Sequence, residues 1–374
     1  MRIVQVITKA DVGGAQTIAT ELTEGLVQRG HDVTLITGTP GRMSDHCASI
    51  GAHVRVQPLL KHAPDIASDG RAVLRIREQL QAIEPDILHL HSSKAGVVGR
   101  LAAVFARVPF VYTAHGWPFQ QGAPTRQRIL SFMGELAAGH LGGETICVND
   151  AERTAALRLR VAPRRRLHTI QNGVGLPTAK PLSPPAAANN VLRVAMVARF
   201  APPKRHDLVV DAVAILDGSV QVRFVGDGPG LQCTKERVAR LGLQSLISFD
   251  GSRDDISTIL ASTDVLLLAS DYEGMPVSIL EGMRAGLPII GTQSKGVASI
   301  VTHGTEGLIC EPNAGALAKA LQRLALHPSE RRTMGANSFE RWRSQHDADR
   351  MVESYIAVYD RVRLRRRSTF RINH

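Results

Sequence analysis

Long apolar runs are missing from this chain. None reaches the roughly 18 residues that a membrane-spanning helix needs, so no bilayer span is expected. Cysteine is scarce, and Cys47, Cys147, Cys233 and Cys310 stand far apart, with no CxxC pair or metal-ligand spacing among them. Cys147 and Cys310 fall inside apolar strand-like runs, so buried free thiols in a reducing compartment are expected. Aromatic residues make up 4% and do not interleave with the basic runs. That argues against a base-stacking platform, and nucleic acid is not expected as a partner. The first residues, Met1-Arg-Ile-Val-Gln-Val-Ile7, read as a strand. They lack the apolar stretch and small-residue cleavage site of a signal peptide.

What is present describes a soluble globular protein, with 44% hydrophobic and 21% charged residues. A length of 374 residues exceeds one ordinary core. Two domains of roughly 150–200 residues each are expected. Acidic residues are outnumbered, leaving a formal net charge of +11. Part of the excess is clustered: Arg158, Arg160, Arg164, Arg165 and Arg166 in one segment, Arg361, Arg363, Arg365, Arg366, Arg367 and Arg371 in another. Such runs serve either as docking sites for acidic partners, an anionic membrane among them, or as solvated surface.

Short apolar runs alternate with helical spacing. Val4–Ile7, Val33–Ile36, Ile87–Leu90, Phe110–Tyr112 and Ile146–Val148 read as strands, with helices over Ala15–Gln28, Arg71–Ile83, Ala95–Ala106 and Arg126–Ala138. The pattern breaks at residues 177–190, where four prolines and no periodicity mark a linker. A second series follows. Val191–Val197, Val220–Val225, Leu246–Phe249, Val265–Leu268 and Pro288–Ile290 are strands, and Leu208–Leu216, Leu231–Leu241, Ile256–Ala261 and Val277–Ala285 are helices. Helices over Ala314–Leu326, Ser329–Trp342 and Asp347–Leu364 close the chain. The fold class is therefore α/β: two Rossmann-like, doubly wound parallel-sheet domains facing across a cleft. The expected division is a first domain over 1–176, a linker over 177–190, a second domain over 191–345, and a terminal helix with a basic tail over 346–374. Chemistry in such sheets sits in the loops beyond the carboxyl ends of the strands.

The candidate residues fall in those loops. Glu273-Gly-Met-Pro-Val-Ser-Ile-Leu-Glu281 follows a strand and opens a helix. Gly274 allows a close turn, and Pro276 suits a first helical turn. The N–H groups of that helix favour phosphate or partly negative sugar oxygens. Glu281, four residues after Val277, can share a face with the helix start. Two carboxylates so spaced can grip two parts of an extended, hydroxyl-rich ligand. Arg199 ends a strand, and Lys204 follows in a proline-stiffened loop beside Arg205 and His206. Fixed cations of this kind stabilise a departing diphosphate. Gly226-Asp-Gly-Pro-Gly230 has G-x-G-x-G rather than G-x-G-x-x-G spacing, and Leu35-Ile-Thr-Gly38 offers no acid for a cofactor ribose. A dinucleotide-dependent dehydrogenase is thereby disfavoured. His115 follows a strand in Tyr112-Thr-Ala-His-Gly-Trp117, well placed to reach a ligand, with His89 and His91 on a neighbouring strand. No HExxH motif occurs, so no zinc site is assigned.

Together these pieces resemble the retaining glycosyltransferases of the GT-B fold, family 4, also described as glycosyl transferases group 1. The matching elements are Gly13-Gly14-Ala15-Gln16, Thr113-Ala-His-Gly116, Asn172-Gly-Val174, Val197-Ala-Arg-Phe200 with Lys204, Phe224-Val-Gly-Asp-Gly-Pro229, and Ser270 through Glu273-Gly-Met-Pro276 to Glu281-Gly-Met-Arg-Ala-Gly-Leu-Pro288. The resemblance implies a role for each. Arg199 and Lys204 contact the donor diphosphate, and Glu281 accepts from the ribose hydroxyls. Glu273, with the backbone of Gly274, Met275 and Pro276, holds the donor sugar, and His115 contacts that sugar near the reacting carbon. Gly13 and Gly14 form the loop beside the donor phosphates and the acceptor, and Gly251-Ser-Arg253 frames the base. The terminal helix packs on the first domain. No metal and no other cofactor is required, the nucleotide sugar being a substrate. Ser299 stands where many members carry a Glu.

The implied reaction is retaining transfer of a hexose from a UDP- or GDP-sugar to a saccharide or lipid-linked acceptor. The form Thr113-Ala-His-Gly-Trp-Pro-Phe119 resembles bacterial members that build cell-surface polysaccharides on a polyprenyl-diphosphate carrier. A cytoplasmic enzyme, peripheral on the inner face of the membrane, would follow, its basic runs meeting anionic lipid. Two alternatives are a sugar-nucleotide epimerase and a noncatalytic nucleotide-sugar-binding protein.

Overall fold

The computed structural model describes residues 1–11, 13–61, 65–117, 119, 125–176 and 191–372, with side chains as far as 365 except that of Gln127. The linker read over 177–190 lies outside them. The chain forms two compact units, one of residues 1–173 and 348–374, the other of residues 174–347.

In the first unit β1 (Arg2–Ile7), α1 (Gly14–Gln28), β2 (Asp32–Thr37), α2 (Arg42–Ser49), β3 (His53–Val56), α3 (Ile66–Ile83), β4 (Ile87–His91), α4 (Ser93–Ala106), β5 (Phe110–Ala114), α5 (Thr125–Gly139), β6 (Glu144–Cys147), α6 (Asp150–Arg158) and β7 (Leu167–Thr169) follow one another. The sheet is parallel in the order β3-β2-β1-β4-β5-β6-β7. Its central strands β4 and β5 are buried along their whole length, as helices on both faces require, whereas edge strand β3 is mostly exposed. Small residues let α4 lie close on this sheet. A Cβ on Gly96 would meet the Tyr112 ring at 2.6 Å.

The second unit repeats the plan with β8 (Leu192–Val197), α7 (His206–Ile215), β9 (Val220–Val225), α8 (Leu231–Arg240), β10 (Ile247–Gly251), α9 (Ile256–Ala261), β11 (Val265–Leu268), α10 (Val277–Arg284), β12 (Ile289–Thr292), α11 (Lys295–Ala298), β13 (Gly307–Cys310), α12 (Ala314–Leu326) and α13 (Pro328–Gln345). Its parallel sheet runs β10-β9-β8-β11-β12-β13. The two ends of this unit are clasped together. Val174 N–H donates to the His346 carbonyl at 3.0 Å, and the buried Trp342 Nε1–H donates to the Val174 carbonyl at 3.0 Å.

The last helix, α14 (Ala348–Ile372), belongs to the first unit. It packs on α1, where a Cβ on Gly25 would meet Val352 Cγ2 at 2.5 Å. Buried Tyr359 Oη lies 2.6 Å from His89 Nδ1, and Tyr355 Oη lies 3.1 Å from Thr113 Oγ1. His89 Nε2 and Thr113 Oγ1 are themselves 2.8 Å apart, so the helix completes a polar cluster inside the central sheet. Strand β4 can thus hold a histidine at a fully buried position, because each ring nitrogen has a partner.

Of the cysteines, Cys47 and Cys147 are buried and Cys310 is half-buried, but Cys233 is exposed on polar α8, contrary to the expectation of burial. Burial pushes the Cys47 and Cys310 thiols up to about 11. All four are free.

Candidate active site

Both sheets reverse strand order at one point, between β1 and β4 in the first and between β8 and β11 in the second. Ligands of doubly wound sheets bind beyond the carboxyl ends of the strands at such a switch point. Arg199, Lys204 and Glu273 stand on the loops at the second switch point and Gly13 and Gly14 follow β1 at the first, whereas His115 follows β5 and Gly251 and Arg253 lie at the end of edge strand β10.

In the second unit the loops after β8 and β11 are bound to each other. Arg205 N–H donates to the Ala269 carbonyl at 3.0 Å and Asp271 N–H to the Pro203 carbonyl at 2.9 Å, and Lys204 bridges Ser270 in antiparallel pairing. Thr292 at the end of β12 locks Ser270, accepting from its N–H and donating to its carbonyl, both at 2.7 Å. These contacts fix the backbone on which the charged side chains stand.

Arg199, two residues beyond β8, is exposed and makes no side-chain hydrogen bond or ion pair among the described residues. Lys204 is not the second free cation that the spacing suggested. Its Nζ is ion-paired with a Glu273 carboxylate oxygen, and Glu273 is 8% exposed. Nearly out of water, the Glu273 carboxylate takes its compensating charge from Lys204. Arg205 is likewise engaged, by Asp207 at 2.7 Å and Asp271 at 3.0 Å. His206 is buried and stacked on Phe200 with centroids 3.9 Å apart, and burial pushes it down to about 4. The loop after β8 therefore offers Arg199 as free positive charge and Lys204 as shared charge.

Gly274, Met275 and Pro276 are buried beside Glu273. Pro276 stands as the N-cap of α10 (φ −70°, ψ 119°), one residue earlier than the first-turn position expected of it. Glu281 is half-buried within α10. Burial pushes its carboxyl up to about 7, with the Arg284 charge acting the other way. Arg253 is exposed and paired with Asp255 at 2.7 Å, while Gly251 ends β10 with its carbonyl accepting from Gly226 N–H at 2.8 Å. Ser299 closes α11 and donates to the Gly296 carbonyl at 2.8 Å.

The packing roles of two sets of glycines were not read from the sequence. Gly226 and Gly228, at φ 143° and 150°, let the loop after β9 lie against the backbone of residues 198–200, a Cβ at Gly228 meeting the Phe200 carbonyl oxygen at 2.6 Å. The glycines of that motif thus seat the Arg199 segment. Gly296 plays the same part for Glu273 and Gly274, whose carbonyl oxygens occupy the space its Cβ would need. In the sequence, Gly226-Asp-Gly-Pro-Gly230 serves only to disfavour a dinucleotide fingerprint and as one element of the family resemblance.

In the first unit, Gly13 is the N-cap of α1 and Gly14 its first residue, rather than both forming a loop. Thr8 after β1 and Ser92 after β4 tie the switch point, their hydroxyl oxygens 2.6 Å apart. His115 follows β5, its Nε2 3.0 Å from His91 Nδ1 and its ring stacked on His91 at 5.3 Å. Burial pushes His115 down to about 4 and holds His91 well below the usual histidine range. His115, Gly13 and Gly14 belong to the first unit, and Arg199, Lys204, Gly251, Arg253, Glu273 and Glu281 to the second. Among the described residues no group of three or more His, Cys, Asp and Glu is placed to hold a metal ion.

Two parallel doubly wound sheets, each with one switch point, have the architecture of the GT-B fold. Residues 12–176 match the model for Glycosyltransferase Family 4 and residues 184–341 that for Glycosyl transferases group 1, and the chain belongs to this family. Among curated relatives, the Escherichia coli UDP-Gal:alpha-D-GlcNAc-diphosphoundecaprenol alpha-1,3-galactosyltransferase is 27% identical over 81% of this chain and 82% of its own. The Bacillus anthracis N-acetyl-alpha-D-glucosaminyl L-malate synthase is 26% identical over 93% of this chain and 94% of its own. Among solved structures, Anabaena HepE in complex with UDP and glucose superposes with a TM-score of 0.84 at 20% identity, covering 96% of this chain and 99% of that one. Sucrose-phosphate synthase from Thermosynechococcus elongatus gives 0.82 at 22% identity, covering 96% and 98%. The chain is thus an enzyme that transfers sugar from a nucleotide sugar.

Proposed function

We propose that this enzyme transfers a hexose from a UDP- or GDP-sugar, with retention, to a saccharide on a polyprenyl-diphosphate carrier. The observation that carries the donor side is the cluster of Arg199, Lys204 and Glu273 on loops bound to each other beyond the β8–β11 switch point. Arg199 and Lys204 meet the diphosphate. Glu273, with the backbone of Gly274, Met275 and Pro276, holds the sugar, Glu281 the ribose hydroxyls, and Gly251 and Arg253 flank the base. In the first unit His115 touches the sugar, and Gly13 and Gly14 border the phosphates and the acceptor. The bond from the anomeric carbon to the diphosphate breaks, and the acceptor oxygen bonds that carbon on the same face. The acceptor proton passes to the departing phosphate oxygen, so no protein nucleophile and no metal ion is assigned. The positive charge that stabilises the leaving group belongs to the protein.

The acceptor reading is supported by the lipid-diphosphate substrate in the name of the Escherichia coli relative. A seat on the anionic inner leaflet is supported by the exposed Arg158, Arg160, Arg164 and Arg165 and by helix α5, which shows Ile129, Leu130 and Met133 to solvent. The experiment is a panel of UDP- and GDP-sugars, with release of nucleoside diphosphate measured with and without polyprenyl-diphosphate saccharide and the anomer of the product read by NMR. Release that requires the acceptor and yields the donor's anomeric configuration is expected. Interconversion of donors without acceptor would make the protein an epimerase, and binding without turnover a noncatalytic one.

Glu281 makes this assignment pH-sensitive. As a carboxylate it accepts two ribose hydroxyls, and protonated it accepts them poorly. With the free carboxyl at about 7, donor binding is expected to strengthen as pH rises from 6 to 8. The loss at the acid end is about tenfold per pH unit below the midpoint. Glu281→Gln should bind more weakly and without this slope, and calorimetric titration with the best-binding nucleotide sugar checks it. The stability sign is the reverse of that for a salt-bridged carboxylate. Between about 4.5 and 7 the folded enzyme keeps a proton that the unfolded chain loses, so unliganded stability falls as pH rises through that window. The fall is at most about 3 kcal/mol and is absent in Glu281→Gln.

A further inference from the structure

The buried polar atoms around His115 settle which of its nitrogens carries the proton. Thr23 Oγ1 donates its one hydrogen to the Ala19 carbonyl at 2.7 Å, a group that can only accept. Towards Gln5 that hydroxyl must accept, so the Gln5 amide nitrogen faces it, at 3.0 Å. Gln5 Oε1 is then the group 3.0 Å from His91 Nε2, and His91 must donate there. A neutral His91 with its proton on Nε2 has a bare Nδ1, which accepts from His115 Nε2 at 3.0 Å. His115 Nδ1 is left as a lone pair, buried and without a partner among the described residues.

We propose that the Thr23–Gln5–His91 chain is a positioning relay that holds His115 in the Nε2–H tautomer, reserving its Nδ1 as an acceptor for a hydroxyl of the donor sugar. The relay begins on α1 and passes through β1 and β4, so three elements of the sheet's core hold one ring. Gln5 and His91 are fully buried, which keeps water from offering substitute partners. Desolvation keeps both histidines neutral near pH 7, so the order of donors and acceptors stands as derived. A bare Nδ1 discriminates by hydrogen-bond sense. It takes a sugar that presents a hydroxyl and repels one that presents a carboxylate, as in a uronic acid. The placement of a sugar at His115 rests on the function proposed above; the tautomer does not.

The test is a long-range ¹H–¹⁵N spectrum of the histidine-labelled full chain, with His115 assigned by its loss in His115→Gln. Wild type should show His115 protonated at Nε2 and bare at Nδ1. Gln5→Met removes the relay's acceptor while keeping side-chain length. It should convert His115 to a mixture of tautomers, and kcat/KM for the donor should fall about 10–100-fold, by analogy with the outer partners of metal-ligating histidines. Gln5→Glu keeps an acceptor for His91 and should restore the single tautomer. If Gln5→Met fails to fold, Thr23→Val loosens the same chain from its far end. A proton on Nδ1 of His115 in wild type would overturn the relay, as would unchanged tautomer and kinetics in a folded Gln5→Met or Thr23→Val. If the tautomer is as derived but His115→Gln turns over donor normally, the relay stands and the sugar contact falls.

Discussion

Arg199→Ala is expected to slow nucleoside diphosphate release by about 10²–10³ while leaving the melting temperature where it was. Lys204→Ala should slow it comparably and also melt early. The difference follows from what each cation touches. Arg199 is exposed and has no side-chain partner among the described residues, so its loss disturbs nothing in the folded protein. Lys204 neutralises Glu273, which is 8% exposed, and its removal strands a carboxylate away from water. Stranding one member of a buried pair costs about 3–5 kcal/mol, and Lys204's partial exposure places this pair at or below the lower end. Removing both partners should return part of that stability without returning activity. Turnover assays with thermal scans on Arg199→Ala, Lys204→Ala and the Lys204→Ala/Glu273→Ala double variant separate the two roles. Wild-type turnover in either single variant would end the assignment of the leaving-group charge to these residues.

Glu135→Ala should give the largest loss of stability, about 3–5 kcal/mol, with no part in the chemistry. Arg100 and Glu135 are each 1% exposed and 3.0 Å apart. Tyr112 Oη donates to the same carboxylate at 2.8 Å, and the Arg100 guanidinium lies 4.0 Å above the Tyr112 ring. The cluster joins α4, α5 and β5, so truncating Glu135 leaves a buried guanidinium and a buried phenol without their acceptor. For a domain near 200 residues this lowers the melting temperature by on the order of 10 °C. Replacing Arg100 and Glu135 together with Met and Leu should cost much less, because no charge is left alone. A Glu135→Ala protein that melts like wild type would show that the charge of Arg100 finds another partner.

The sequence spoke clearly where a physical constraint repeats and faintly where a single contact decides. Central strands such as β4, β11 and β12 are covered on both faces, so their apolar runs stand out. Helix α9 was legible to the residue, Ile256–Ala261. Strands β3 and β7 were not read, because His53-Val-Arg-Val56 is a half-exposed edge and Leu167-His-Thr169 is three residues long. The helix α11 is a single turn, and α2 and α6 bury few apolar residues, so they lack the apolar face that marked the still shorter α9. Arg199, Lys204, Glu273 and Glu281 could be found from residue type at strand ends. The Lys204–Glu273 pair could not, since it depends on β8 lying beside β11, and neighbours in a sheet are set by topology rather than by spacing. Gln5 and Thr23 looked like an ordinary strand residue and an ordinary helix residue, and their part emerges from hydrogen-bond sense alone.

The membership of α14 has a consequence for how the chain is made. A ribosome finishes residues 174–347, the whole second unit, before it adds Tyr355 and Tyr359. Until then His89 and Thr113 lack those partners and the surface around Gly25 lacks Val352. At about 5–20 residues per second, the nascent first unit waits roughly ten to thirty seconds for its final helix. The second unit is contiguous and waits for nothing. The order of completion is therefore the reverse of the order of synthesis, and a message broken just ahead of the codon for Ala348 would yield a finished second unit joined to an unfinished first.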